Sequence, residues 1–255
     1  MTSNVPKGSG PRKKAVPPDY REQLFNDGKI GPIEGIQVST DRIVRVRGIL
    51  YDLDLNLYHA GVVIPRVPKD PKTLYRRIVR DWLSRHPVLN KAEVRFTGGG
   101  IHVIPWFAEP VEIENDGDRE QWAAIVQVVQ AALPVDPQAP GITATTRAFH
   151  STNSKNDSKV IRLKEGQPVS TDEVLALYEE MCSSPFKTVM TILTGGDRIS
   201  PCPVCNKPES SLLALDYIGR CYVCGKVNLG QLYDLVLRPR KPGAKGGQSR
   251  VTKAR

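Results

Sequence analysis

Four of the five cysteines fall in two pairs, Cys202 with Cys205 and Cys221 with Cys224, in the pattern C-x2-C-x15-C-x2-C. Each C-x-x-C turn aims two thiolates at one point. Two such turns joined by a hairpin complete a tetrahedron around Zn²⁺, with Zn–S bonds of about 2.3 Å. The intervening SSLLALDYIGR reads as two short strands and a turn. Four thiolates fill the coordination sphere, so the expected metal is structural. Its binding supplies folding free energy that a unit of about 35 residues cannot draw from its own core. A pair of redox dithiols is the competing reading, but those occur singly beside a βαβ unit. Downstream, Leu229, Leu232, Leu235 and Val236 fall at helical spacing and predict a short amphipathic helix packed on the ribbon.

Charge divides the 255-residue chain sharply. Its net +9 is less than the sum of its two ends: residues 1–18 carry four cations and no acid, and residues 238–255 carry seven and no acid, which leaves −2 for everything between. The ends are Gly/Pro-rich and read as disordered basic arms, 1–28 and 238–255, able to hold a phosphate backbone without reading sequence. Keeping the protein soluble is the plainer reading of the same residues. No apolar stretch approaches the ~18 residues of a membrane span. The opening MTSNVPKGSGPRKK lacks the apolar region of a secretory signal. The expectation is a cytoplasmic protein associated with nucleic acid, not a membrane protein or a secreted disulfide scaffold.

Between the arms, periodicity predicts an α+β domain over residues 35–180, a linker over 181–199 and the zinc ribbon over 200–237. DRIVRVRGILYDLDLNLYHAGVVI alternates as strands do. KDPKTLYRRIVRDWLSRHP carries Leu74, Ile78, Trp82 and Leu83 at helical spacing, and DREQWAAIVQVVQAAL carries Trp122, Ile125, Val129 and Leu133. KAEVRFTGGGIHVIPWF reads strand, glycine turn, strand. VIRLKEG is a strand, and STDEVLALYEEM opens with a Ser170…Glu173 capping box.

Four pieces of this domain carry candidate chemistry. Asp52 and Asp54 flank Leu53 on a strand, so both carboxylates share one face while Leu53 turns to the packed side. Two acids so placed become tolerable when divalent cations sit between them, and two-metal phosphoryl transfer needs such a pair. Two solvent-facing acids on an edge strand are the plainer reading. In Thr97-Gly98-Gly99-Gly100-Ile101-His102, glycines free the backbone to approach a phosphate and His102 emerges as a donor; a hairpin with a satisfied histidine is the alternative. Asp136 follows a helix. Last comes Arg147-Ala148-Phe149-His150-Ser151-Thr152-Asn153-Ser154-Lys155. There Arg147 and Lys155 suit triphosphate oxygens, and Ser151 and Asn153 suit a sugar or phosphate, if it is not an ordinary polar loop.

In this order the pieces resemble the archaeo-eukaryotic primase superfamily, which includes the primase-polymerases of plasmids and viruses. Its D-x-D motif is matched by Asp52 and Asp54, and its S/T-G-x-G-x-H by Thr97, Gly98, Gly100 and His102. Its lone acid after a helix is matched by Asp136, and its R-x-P-G-S-x-N-x-K by Arg147, Ser151, Asn153 and Lys155. Ala148-Phe149-His150 departs from that last pattern. The likeness spans roughly residues 40–170. The cysteine unit resembles the zinc-binding domain of bacterial DnaG-type primases, with CPVC, Lys207-Pro208, a serine pair, CYVCG and a helix.

The resemblance implies an RRM-like catalytic core of mixed sheet and helices. It implies a DNA primase or primase-polymerase that makes or extends primers on single-stranded DNA from NTPs or dNTPs. Asp52, Asp54 and Asp136 would bind Mg²⁺ or Mn²⁺. His102, Gly98, Gly100, Arg147, Ser151, Asn153 and Lys155 would bind the nucleotide, and the ribbon and arms would hold the template. Tyr217 and Tyr222 could stack on bases or pack in a core. No G-x-x-x-x-G-K-[ST] loop is present, so a replicative helicase would be a separate partner. The alternatives are a non-catalytic zinc-ribbon replication factor, a repair-type polymerase that only extends, and a metal-dependent nuclease; the triphosphate-suited residues favour synthesis over cleavage.

Overall fold

The computed structural model describes residues 27–28, 43–53, 70–135, 141–144, 146–147, 149–153 and 156–237. Asp54, Asp136, Lys155 and nearly all of both basic arms lie outside the described residues.

The N-terminal half opens with β1 (Asp27–Gly28), β2 (Ile43–Gly48) and β3 (Tyr51–Leu53). A helical stretch follows: α1 (Pro71–Leu74), a π-helical turn (Tyr75–Val79) and α2 (Arg80–Ser84), then α3 (Pro87–Lys91). Next come β4 (Glu93–Phe96), β5 (Ile101–Ile104), β6 (Trp106–Glu112) and α4 (Asp116–Gln130). After a 3₁₀ turn at Gly141–Thr143, short strands β7 (Thr152–Asn153) and β8 (Ser158–Lys159) lead into β9 (Ile161–Lys164), α5 (Thr171–Ser183) and α6 (Pro185–Thr194). The cysteine unit holds β10 (Arg198–Ile199), β11 (Leu212–Ala214), β12 (Gly219–Cys221), β13 (Gly225–Val227) and α7 (Leu229–Leu237). The class is α+β, and among the described residues the strands of all four sheets pair antiparallel.

The sheet that matters for function has the order β3-β5-β4-β9. Its two faces differ because its strands alternate. One face presents Tyr51, Leu53, Ile101, Val103 and Val94, all fully buried, to a core shared with Trp122, Ile125 and Val129 of α4, Val174 and Leu177 of α5, and Val189 and Leu193 of α6. The opposite face is polar over most of its width. Helices α4 and α5 start where their sequences supply a capping side chain. The Asn115 side chain accepts from the Asp118 N–H ahead of α4, and the Ser170–Glu173 capping box closes reciprocally on α5.

Residues 181–199, expected as a linker, do not behave as one. Pro185 at the first helical position starts α6 directly after α5. Phe186, Val189, Met190, Ile192 and Leu193 of α6 are buried in the main core. The ribbon joins that same core through Cys202, Leu212, Ala214, Cys221, Val227, Leu232 and Tyr233. Gly219 lies so close to Phe186 that an added Cβ would stand 2.5 Å from the ring, so no larger residue fits there. The Tyr233 hydroxyl donates to the Ala131 carbonyl beyond α4, and the Phe186 N–H donates to the Asp216 carbonyl at 2.8 Å.

Candidate functional site

Strand register assembles the site. Asp52 pairs with His102, His102 with Arg95, and Arg95 with Arg162, so four polar residues form one row across the face of β3-β5-β4-β9. At about 4.8 Å per strand the row spans roughly 14 Å, from a carboxylate at one edge to a guanidinium at the other. His102 is buried and Asp52 is half-exposed. His102 Nε2 stands 3.6 Å from Asp52 Oδ1, and its Nδ1 lies 2.9 Å from the Thr146 hydroxyl. Burial, then the nearby charges of Arg147 and Arg95, bring the His102 imidazole down to about 3, so the ring is neutral near pH 7.

Arg95 is buried, and a buried guanidinium must be paired. Its Nε donates to Glu93, and its Nη1 donates to the Arg147 carbonyl at 3.0 Å. Its Cζ lies 4.0 Å from the Phe149 ring centroid, and Arg162 approaches the same ring at 4.1 Å. Thr146, Arg147 and Phe149 are therefore drawn onto β4 and β5 by one hydroxyl, one carbonyl and one aromatic ring.

The glycine turn meets the same stretch further on. Thr97 N–H donates to the Gly100 carbonyl at 3.1 Å to close the hairpin. Asn153 Nδ2 donates to the Thr97 carbonyl at 2.7 Å, and Asn156 Nδ2 donates to the Gly98 carbonyl at 2.9 Å. Gly98 has φ +95°, and a Cβ there would meet Asn156, Ser158 and Asn153 within 3.0 Å. Gly98 thus serves the packing of two site segments.

Of the sequence-predicted residues, Asp52, Gly98, Gly100, His102, Arg147, Ser151 and Asn153 all fall on this sheet face, its hairpin turn or the segment crossing it; Asp54, Asp136 and Lys155 lie outside the described residues. Sequence reasoning passed over Arg95, Thr146 and Glu93. Arg95 was findable: a hairpin turning over residues 97–100 pairs Phe96 with Ile101 and hence Arg95 with His102. Thr146 carries no local signal.

The second candidate site is the cysteine cluster. The four Sγ atoms lie within 4.8 Å of one another, with Cys202–Cys224 at 3.7 Å and Cys205–Cys221 at 3.9 Å. Tetrahedral thiolates at Zn–S distances of about 2.3 Å stand roughly 3.8 Å apart, so the cluster is compatible with zinc. Burial opposes ionisation of Cys205. Hydrogen bonds from the Ser210 hydroxyl and the Lys207 N–H, with the neighbouring thiols, outweigh it and bring that thiol down to about 7. Burial and the neighbouring thiols push Cys224 up. Four crowded thiols cannot all ionise without a cation among them. On the same unit Tyr222 is 88% exposed and Tyr217 67% exposed, so neither packs in a core; the Tyr217 hydroxyl donates to the Cys182 carbonyl.

No family model and no curated protein matches the chain. Among solved structures it is similar to the archaeo-eukaryotic primase domain of the primase-polymerase of cyanophage S-2L. That match has a TM-score of 0.38 and 14% identity, and covers 61% of this chain and 68% of that one. Among the described residues no helix is long and apolar enough to cross a membrane.

Proposed function

We propose that this chain is a template-directed nucleotidyltransferase of primase-polymerase type, acting on single-stranded DNA through an RRM-like sheet, with a zinc ribbon built into the same core. The observation that carries the reading is the row Asp52–His102–Arg95, onto which the glycine turn and the Thr146–Asn153 stretch converge. That arrangement sets a carboxylate, a neutral N–H donor and guanidinium groups in line, the order a nucleotide triphosphate beside a divalent cation calls for.

The half-exposed side chain of Asp52 suits a hard dication, and Asp52, Asp54 and Asp136 would hold Mg²⁺ or Mn²⁺. Such ions, when bound, supply charge neutralisation at the transferring phosphoryl group and activate the attacking 3′-hydroxyl. The chain's own residues do the positioning. With Asp52 ionised and able only to accept, His102 suits it best with its proton on Nε2 and the Thr146 hydroxyl proton donated to Nδ1. A neutral Nε2–H orients triphosphate oxygens without competing with the metal for charge. Arg147 would add a cation and Ser151 would line the approach, while Asn153 holds the hairpin turn through the Thr97 carbonyl. Cys202, Cys205, Cys221 and Cys224 would hold zinc as a structural ion. The exposed ring of Tyr222 offers a face for a template base.

The test is nucleotide incorporation on single-stranded DNA, with and without primer, in Mg²⁺ or Mn²⁺, with wild type beside the Asp52→Ala/Asp54→Ala variant. Unprimed products lost in the variant establish a primase. Products only from a primer make it a repair-type polymerase. Tight strand binding with no incorporation under any condition leaves a non-catalytic binding protein.

A further inference from the structure

We propose that the α1–π–α2 segment is a docking surface for the phosphate backbone of single-stranded nucleic acid, with Lys72, Arg76 and Arg80 contacting successive phosphates; the choice of partner rests on the nucleic-acid reading above. Although the body carries −2 overall, residues 70–85 hold five cations against two acids. Both acids are engaged. Asp70 caps α1, accepting from the Thr73 N–H and hydroxyl, and Asp81 faces Arg80 at 3.4 Å. Lys72, Arg76 and Arg77 are exposed, and among the described residues no carboxylate lies within ion-pair distance of them.

The π-turn lines these cations up. A straight α-helix overshoots a full circle by about 40° every four residues, so Lys72 and Arg80 would diverge by about 80°. The wider turn at Tyr75–Val79 takes up much of that overshoot. Lys72, Arg76 and Arg80 then form a stripe turned away from the buried Val79, Trp82 and Leu83. Successive members rise about 6 Å along the axis, comparable to the phosphate step of a single strand. Like charges four residues apart repel each other, and a polyanion along the stripe relieves that repulsion. The exposed residues of α4 and α5 carry the opposite sign, with Asp116 and Glu120 on one and Asp172, Glu179 and Glu180 on the other. The near-neutral body is thus a sum of separated faces, and the cationic one fits a phosphate chain.

The experiment measures affinity of the full chain for labelled oligo-dT across a salt series. Each phosphate contact on a single strand contributes about 0.7 to the log–log slope. Lys72→Gln/Arg76→Gln/Arg80→Gln is expected to make the slope shallower by about 2, and Arg76→Gln alone by about 0.7. The charge-keeping Lys72→Arg/Arg76→Lys/Arg80→Lys retains the wild-type slope, and melting curves confirm intact folds. Unchanged slope and affinity in the glutamine variants overturn the proposal while leaving the enzymatic reading standing. Wild type that ignores DNA but binds phosphatidylserine vesicles overturns both. Nucleotide incorporation is not read, so loss of the polymerase reading leaves this test intact.

Discussion

The hydroxyl of Thr146 lies 2.9 Å from Nδ1 of His102, a ring whose other nitrogen faces Asp52. Both partners are buried, so neither has water to replace the other. Thr146→Val keeps the shape and deletes the hydroxyl, leaving Nδ1 unpartnered at a cost of about 1–3 kcal/mol. It also frees the ring to move its proton to Nδ1, which turns a lone pair toward Asp52. Groups that orient a site residue this way are typically worth 10–100-fold in activity. Incorporation by Thr146→Val should fall by about that factor while Thr146→Ser stays near wild type. Nitrogen NMR of His102 should show Nε2 protonated in wild type and a mixture in the valine variant.

The same burial makes His102 an acid-sensitive point. Its folded-state value of about 3 lies below the 6.5 of an unperturbed imidazole, mainly through burial and then through Arg147 and Arg95. Between those two values the unfolded chain holds a proton that the folded chain does not, so protonation favours unfolding. Stability from this group is complete above pH 6.5 and is lost as the pH falls toward 3, at roughly 1 kcal/mol per pH unit. His102→Gln, which cannot take up that proton, should flatten the acid limb of a stability-against-pH curve measured by denaturant titration. An acid limb of unchanged slope would show that this ring is not what titrates.

Gly98 holds the hairpin turn against the segment that follows the site. Alanine there must adopt φ +95° and push aside Asn156, Ser158 and Asn153. Gly98→Ala should therefore cost about 1–3 kcal/mol in thermal unfolding. It should also weaken nucleotide binding more than Gly99→Ala, since a Cβ at Gly99 meets nothing within 4 Å.

Much of this arrangement was legible in the sequence because local signals agreed with tertiary ones. Alternation put Asp52 opposite Leu53, the glycine run set a hairpin ahead of His102, and the Ser170–Glu173 box marked the start of α5. The cysteine spacing brought four sulfurs together as expected. Three things were not legible. The Thr146–His102 contact joins residues 44 positions apart and leaves no periodic trace. The α6 helix lies inside the expected 181–199 linker, although proline suits the first position of a helix, and Phe186, Val189, Met190 and Leu193 repeat at helical spacing behind it. Net charge hid the Lys72–Arg80 stripe because acids elsewhere on the body cancel it.

The packing of α6 into the main core sets what metal removal should do. A ribbon on a linker would unfold alone when stripped of its ion, and the larger domain would melt as before. Here Phe186 of α6 packs beneath Gly219 of β12, and the Tyr233 hydroxyl of α7 donates to the Ala131 carbonyl after α4. If the four thiols hold zinc, its release would leave them crowded and partly buried against a core shared by both parts. Treatment with a strong chelator, or Cys221→Ser, should lower the melting temperature of the whole chain in one transition by several degrees or more. Gly219→Ala should do the same with the metal still bound, because the added methyl forces Phe186 aside. Scanning calorimetry decides it. Two separate transitions after chelation, the larger one unmoved, would mean that the shared core does not couple the ribbon to the sheet that carries Asp52 and His102.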